Sequence, residues 1–590
     1  MSIRKWLMAA AAAAALTGVS NSSSAMDVAS GDAGFSPRVL SSSDARLYRE
    51  IFADEEAGRF ADAKDRLAEV SDRSLVGYVE AAHLLSPKAK RVPLKQLTAW
   101  LAEHDDLPIA ARVRAFAERK NEKQRPRRRV AIESLPTVHH RGGGYEDTDI
   151  PDVLISDAGR AAQVQILASA HAGQPQQAEA TLNTLIASGA APGSDIAHLS
   201  HRVAASYMAE AQDDGAVRVA SAVTGVDRAA QPLLDWDEGL ANYRLGKYQE
   251  SAQHFETLAQ TGSVPNYTRS AGAFWAARAH LAAGDPLRVV TLLTAATREQ
   301  PTFYGLLAER MLGKQSQTNF AEPVLDQQSF TAMMQIPAAH RAVALWQVGQ
   351  TQDLAGEMDR ALTAIDLHQG EAYAALAHRL DLPNLELRAC ETAASRGVML
   401  TGLFPVPHYA PSSGYRVDPS LVLAFTRAES RFRPDAVSNT GARGLMQLMP
   451  GTAQLMDHSI SSEKQLEDPS YNLDLGQRYL SQLLGQMNGN LVELAAAYNA
   501  GPGAITRWMG SRGSMMQDPL LFIESIPAGQ TRDYVKRVLT YYWMYARRTG
   551  EQAPTLDETA VGKWPKYRGY ATQDAPPAQN VVVSDAATSY

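Results

Sequence analysis

The stretch Asp418–Gln454, DPSLVLAFTRAESRFRPDAVSNTGARGLMQLMPGTAQ, decides how the rest of the chain is read. Asp418 followed by Pro419 has the form of an N-cap and first helical residue. A helix begins there and carries Val422, Phe425 and Glu429 on one stripe. A carboxylate thus sits on an apolar face. No cationic residue lies one turn before it on that stripe, so loss of water favours the neutral acid, able to donate a proton near neutral pH. Arg431 and Arg433 are close enough in sequence to oppose this shift. Beyond Pro434 come Gly441, Gly444 and Leu445-Met446-Gln447-Leu448-Met449, closed by Pro450-Gly451. Glycine at this density predicts a tight turn whose backbone can approach a ligand. Met and Gln add an apolar shelf and a hydrogen-bonding amide. The chemistry indicated is acid work on a bulky polar substrate.

Downstream, Asp468-Pro469 repeats the cap-and-proline start, and Leu473, Leu480, Leu484 and Met487 give that helix an apolar face before Gly489. Asn490 with Glu493 reads as a capping box, and Leu491, Leu494, Ala495 and Tyr498 share a stripe ending at Gly501. Tyr498 therefore falls where core and cleft meet, and its phenol serves either a structural hydrogen bond or the acid and its ligand. From Thr531, the spacing of Tyr534, Val538, Tyr541, Tyr542 and Tyr545 reads as a packing face. The tail after about Tyr570 has no period and reads as flexible.

Upstream, Ser41 to Thr318 is alanine-rich helix with short breaks. Glu56-Ala57-Gly58-Arg59-Phe60, His171-Ala172-Gly173-Gln174-Pro175 and Arg244-Leu245-Gly246-Lys247-Tyr248 each put a glycine between helices, the pattern of tetratricopeptide-like hairpins. A solenoid follows, stabilised by stacking each hairpin on the next. Trp275 and Tyr304 read as packing residues within it. A basic, glycine-rich insert at about 120–151, with Arg127, Arg128, Arg129 and Gly142-Gly143-Gly144, reads as a solvated loop. Helical sequence of different texture fills 319–404. Phe404-Pro405-Val406-Pro407-His408 then marks a boundary, with His408 a surface or packing residue.

With 590 residues, 45% hydrophobic and 21% charged, the chain is globular and long enough for several domains. A net charge of -7 argues against nucleic acid as a main partner. Arg4 and Lys5, an apolar run from Trp6 to Val19 and a small-residue stretch ending Ser23-Ser24-Ala25 have the form of an export signal over 1–25. No cysteine stands near that site to accept lipid, and no other run reaches membrane-spanning length, so a soluble periplasmic product is expected. Cys390, the one cysteine, rules out an internal disulfide and reads as a small buried residue.

Glu429-Ser430 followed at matching distance by Gly441-Ala442-Arg443-Gly444-Leu445-Met446-Gln447-Leu448-Met449-Pro450-Gly451-Thr452-Ala453 resembles the catalytic signature of the soluble lytic transglycosylases, relatives of goose-type lysozyme. Ala496-Ala497-Tyr498-Asn499-Ala500-Gly501-Pro502-Gly503, then Glu524-Ser525-Ile526-Pro527 leading into Thr531-Arg532-Asp533-Tyr534-Val535, fit the same family in order. The resemblance implies a mainly α chain: an N-terminal superhelix (26–318), a helical linker (319–404), a lysozyme-like transglycosylase domain (405–570) and the tail 571–590. It implies Glu429 as acid then base on peptidoglycan glycan strands, with an anhydro product and neither metal nor other cofactor. Ser438, Gln447 and Met449 would line the substrate, Tyr498 would orient Glu429 or bind the sugar, and the solenoid could receive cell-wall proteins. Gln530 stands where the family usually has Glu, so any charge-based role there is in doubt. Two alternatives stay open: a muramidase, for which Asp435, Asp457 or Glu524 would have to supply a second carboxylate, and a non-catalytic wall-binding scaffold.

Overall fold

A computed structural model describes residues 37–89, 92–124, 153–298, 301–314, 320–366 and 369–569. The expected signal segment, all but the first few residues of the basic insert, and the tail lie outside them. Among the described residues helix follows helix from Ser42–Ala57 to Pro554–Ala560, with isolated bridges and no strand. None of these helices is long and apolar enough to cross a membrane.

The glycines between paired helices explain the hairpins. Gly58, Gly173 and Gly246 take φ of 81°, 67° and 74°, a left-handed corner that a Cβ resists. They turn the chain between Ser42–Ala57 and Phe60–Glu69, between Asp157–His171 and Pro175–Ser188, and between Leu233–Arg244 and Tyr248–Gln260. Buried alanines such as Ala178, Ala204, Ala216 and Ala241 let stacked helices approach closely. Trp275 is fully buried between hairpins, stacked on Phe255 at 6.0 Å and edge-on to Tyr243 at 5.2 Å.

The first helices do not simply lead away from the rest. Their apolar core, from Leu40 to Ala117, is completed by Ala344, Leu345 and Val348 of the helix Pro337–Val348. Gln347 Oε1 accepts from the backbone N–H groups of Val39 and Leu40 at 2.7 and 2.9 Å. Fully buried Glu357 accepts from the Tyr78 phenol at 2.6 Å and from Arg341 at 2.5 and 3.0 Å. The superhelical part thereby closes on the segment that follows it.

A second core runs without interruption from Ala162 to Ala560 and joins the superhelix to the C-terminal helices. The helix Gly529–Thr549 packs along both Pro419–Ser430 and Leu491–Ala500. It begins at Gly529, two positions before the expected Thr531. Its other side meets the superhelix, where Phe303 stacks on Trp543 at 5.5 Å. The start of Pro419–Ser430 falls where the sequence places it, but Asp418 does not cap it. Its carboxylate instead accepts from the Tyr542 phenol at 3.1 Å, tying the two helices together. Asp468 does cap its helix, through Tyr471 N at 2.8 Å. At Asn490 half the expected box forms. Its Oδ1 accepts from Val492 N, while Glu493 binds the Asn490 side chain rather than its backbone.

Replacing Glu357 by Ala leaves the buried Tyr78 phenol without its acceptor and the half-buried Arg341 guanidinium with exposed Asp106 alone, at 3.4 Å, and the loss is expected to reach about 2–4 kcal/mol. In limited proteolysis along a urea series, the helices up to residue 124 should become cleavable before the C-terminal core does.

Candidate active site

Glu429 occupies the last turn of Pro419–Ser430, half-buried, with Phe425 fully buried one turn before it. The Tyr534 phenol, from Gly529–Thr549, donates to Glu429 Oε1 at 2.5 Å. Burial pushes the carboxyl up from its usual 4.5 to about 7, against the Tyr534 hydrogen bond and the Arg537 guanidinium, which both favour the ionised form. Burial and the charge of Glu429 hold the phenol itself well above its usual range, so it remains a donor. Neither arginine that sequence proximity nominates exerts that pull. Arg431 reaches away to Glu391 of the helix Pro383–Ala394, and Arg433 is exposed. Arg427, buried on the far side of the helix, lies between the rings of Phe404 and Tyr541 at 4.4 and 4.0 Å.

The chain leaves Glu429 through strained backbone. Arg431 and Phe432 take φ of 53° and 63°, and Gln447 one of 45°. Non-glycine residues occupy this region at a cost, and such residues gather where surrounding structure enforces a functional geometry. The loop that follows is closed by its own polar groups. Ser438 Oγ accepts from Ala442 N at 2.9 Å, and Gln447 Nε2 donates to the carbonyls of Ala436 and Gly444 at 3.0 and 2.9 Å. The Gln447 amide oxygen is left without a protein partner among the described residues. Met449 stands 43% exposed at the rim.

Asn472, which the sequence reading passed over, fixes this loop from the helix Pro469–Gln486. Fully buried, it accepts from Met446 N at 2.8 Å and donates to the carbonyls of Arg443 and Leu466 at 3.1 and 2.9 Å. The fit depends on Gly444, with φ of 79°, where a Cβ would come within 2.1 Å of the Leu466 carbonyl oxygen. The Tyr498 phenol donates to the Met446 carbonyl at 2.7 Å rather than to Glu429. Its ring packs against Phe425 at 4.8 Å, and the charge of Glu429 reaches it. The spacing of Tyr534 predicts a packing face. It is buried there as expected, and its hydroxyl is also the one that meets the acid. No local pattern distinguishes it from Tyr541, Tyr542 and Tyr545. Gln530 is exposed in the first turn of Gly529–Thr549.

Two of the other candidate carboxylates are committed elsewhere. Buried Glu524 accepts from the Tyr304 phenol and from Lys536 Nζ at 3.2 Å, so Tyr304 is more than packing. Asp457 accepts from Ser459 N and the Tyr471 phenol, each at 2.9 Å, and these hydrogen bonds bring it down to about 2. Asp435 is exposed. His408 is exposed and pairs with Asp381. Cys390 is fully buried, and burial raises its thiol. Among the described residues no cluster of His, Cys, Asp and Glu could hold a metal ion.

Two measurements test this geometry. Asn472→Ala takes their side-chain partner from the buried Met446 amide and the Leu466 carbonyl, whereas the Arg443 carbonyl keeps Leu448 N at 3.0 Å, and stability is expected to fall by about 2–4 kcal/mol. Hydrogen exchange at Met446 should accelerate with it. Glu429→Gln should raise the unfolding midpoint at pH 8 relative to the wild type. A carboxyl whose folded pKa lies above its unfolded 4.5 costs no stability below pH 4.5 and a growing amount as pH rises to about 7. The gain is bounded by about 3 kcal/mol above pH 7 and vanishes below pH 4.5, less whatever water reaching the open side of Glu429 screens away.

Residues 409–520 match the family described as Transglycosylase SLT domain. The soluble lytic murein transglycosylase of Escherichia coli K12 is 38% identical over 160 residues, 26% of this chain, and the chain matches only 24% of that protein's length. Among solved structures, an inactive glutamate-to-glutamine mutant of the lytic transglycosylase Slt from Pseudomonas aeruginosa aligns with a TM-score of 0.55 at 22% identity, over 86% of this chain and 74% of that one. The 70-kDa soluble lytic transglycosylase of Escherichia coli aligns at 0.51 and 18%, over 89% of this chain and 99% of that one. Tyr534 lies beyond the matched 409–520. The chain thus carries a transglycosylase SLT domain on the fold of the soluble lytic murein transglycosylases, an α-helical superhelix joined to a lysozyme-like domain.

Proposed function

We propose that this chain is a peptidoglycan lytic transglycosylase that cleaves the β-1,4 bond between N-acetylmuramic acid and N-acetylglucosamine without water. The observation that carries the reading is Glu429 itself, a half-buried carboxyl raised to about 7 and held by a phenol, with no second carboxylate among the described residues acting on its charge. Glycoside cleavage needs a proton on the departing oxygen and relief of the positive charge that develops on the sugar. A glutamate still protonated near neutral pH supplies the proton. A retaining hydrolase would place a second carboxylate about 5 Å away. Asp435, Asp457 and Glu524 have other surroundings, which supports attack by the substrate's own O6 hydroxyl instead. Glu429, now ionised, takes that hydroxyl's proton as O6 bonds to the anomeric carbon, and a 1,6-anhydro end results. The proton count closes, and neither metal nor other cofactor enters. The acetamido oxygen of the sugar would shield the positive charge.

In this reading Tyr534 positions Glu429 and stabilises its ionised form. Gln447 offers its free amide oxygen to the substrate, Met449 and Ser438 border the subsites, and Tyr498 supports the shelf through Met446. Exposed Gln530 would touch the strand without carrying charge. The domain limits 26–318, 319–404 and 405–570, export to the periplasm, and protein partners on the solenoid belong to the same proposal.

Wild-type enzyme acting on purified sacculi should release muropeptides whose masses show anhydro rather than reducing ends. Reducing ends alone would mean a hydrolase. Glu429→Gln should abolish release while still binding the wall material. Because the acid form is required, kcat/KM should fall as pH rises through about 7. Tyr534→Phe removes a hydrogen bond that favours the ionised carboxylate, so the alkaline limb should move to higher pH.

A further inference from the structure

On Pro469–Gln486, Asn472, Gly476 and Tyr479 form one stripe facing the Gly444–Met446 turn. Asn472 bonds the turn, and Gly476 makes room for it: a Cβ there would lie 2.1 Å from Met446 Sδ. Tyr479 continues the stripe outward. Its ring packs on Tyr498 at 5.3 Å, Tyr498 packs on Phe425 at 4.8 Å, and Phe425 neighbours Tyr534 at 6.3 Å. The rings make a row that starts beside Glu429 and ends at Tyr479.

The end of the row differs from the rest of it. Tyr534 spends its hydroxyl on Glu429, and Tyr498 spends its own on the Met446 carbonyl. Tyr479 is half-buried, and its hydroxyl meets no protein partner among the described residues. A half-buried tyrosine with an unclaimed hydroxyl, at the end of a row of rings that starts beside the acid, has the form of a binding group.

We propose that Tyr479 is a glycan-binding residue at a subsite remote from the scissile bond, where its ring meets the C–H face of a sugar and its hydroxyl bonds a polar substituent. This rests on the reading of the chain as a peptidoglycan-cleaving enzyme and adds a determinant of strand length to it. Tyr479 touches neither Glu429 nor the groups that set its charge, so it acts on binding alone.

The test compares long glycan strands with short oligomers that fill only the subsites beside Glu429. For Tyr479→Leu, the ratio of kcat/KM on long to short substrates should fall about three- to tenfold, carried by KM, as expected for one lost aromatic contact. The pH profile should keep its alkaline limb, and Tyr479→Phe should restore most of the ratio. An unchanged ratio, or equal loss on both substrates with a moved pH limb, overturns the proposal, since either would make Tyr479 a prop for Tyr498. The same comparison by strand binding in the Glu429→Gln background needs no turnover. A wild type that yields no anhydro ends sinks the functional reading, whereas unchanged strand affinity in the Glu429→Gln, Tyr479→Leu pair sinks this one.

Discussion

The site depends on withholding bulk water from one carboxyl while leaving it an open side. Phe425 and the Tyr534 ring shelter Glu429, and burial outweighs the two groups that favour its charge. A buried carboxyl with no donor would drift or find another partner. The Tyr534 hydrogen bond stops this, and because the phenol is a neutral donor it does so without making the group permanently anionic. An arginine in the place of Tyr534 would hold the carboxyl as firmly and lock it ionised. The strained turn at Arg431 and Phe432 and the Asn472 clamp then serve to present the loop to that one group.

Much of the architecture was readable because it is written in local rules. Corner glycines at Gly58, Gly173 and Gly246, the prolines at Pro419 and Pro469, and the 3.6 period set helix after helix without reference to anything distant. Glu429 itself was legible as a carboxylate on an apolar stripe. What local rules could not supply were partners far away in sequence. Tyr534 lies 105 positions from Glu429 and shares its spacing with tyrosines whose contacts lie elsewhere, as Tyr542 does on Asp418. Asn472 looks like any helix-surface amide until Gly444 is brought against it. Asp418 shows the same limit from the other side. The helix starts where its residue type predicts, yet its carboxylate is claimed by Tyr542, because a tertiary donor outcompeted the backbone N–H groups of the first turn.

The carboxylates nominated as rivals to Glu429 show how residue type misleads without context. Glu524 stands in a block that fits the transglycosylase pattern, and its role in the structure is to join two parts of the chain. It receives the Tyr304 phenol from the superhelix and Lys536 from the helix that carries Tyr534. Asp518 does the same with Arg278, and Ser525 with Arg244.

These joints bear on any attempt to transplant the C-terminal part. Residues 405–569 are not a free-standing cassette. Severed from the superhelix, they would show Trp543 to water without Phe303 and keep Glu524 without its phenol, both on or beside the helix that aims Tyr534. A graft onto another carrier must therefore bring matching aromatic and hydroxyl groups, or the register of that helix is lost together with the alignment of its acid.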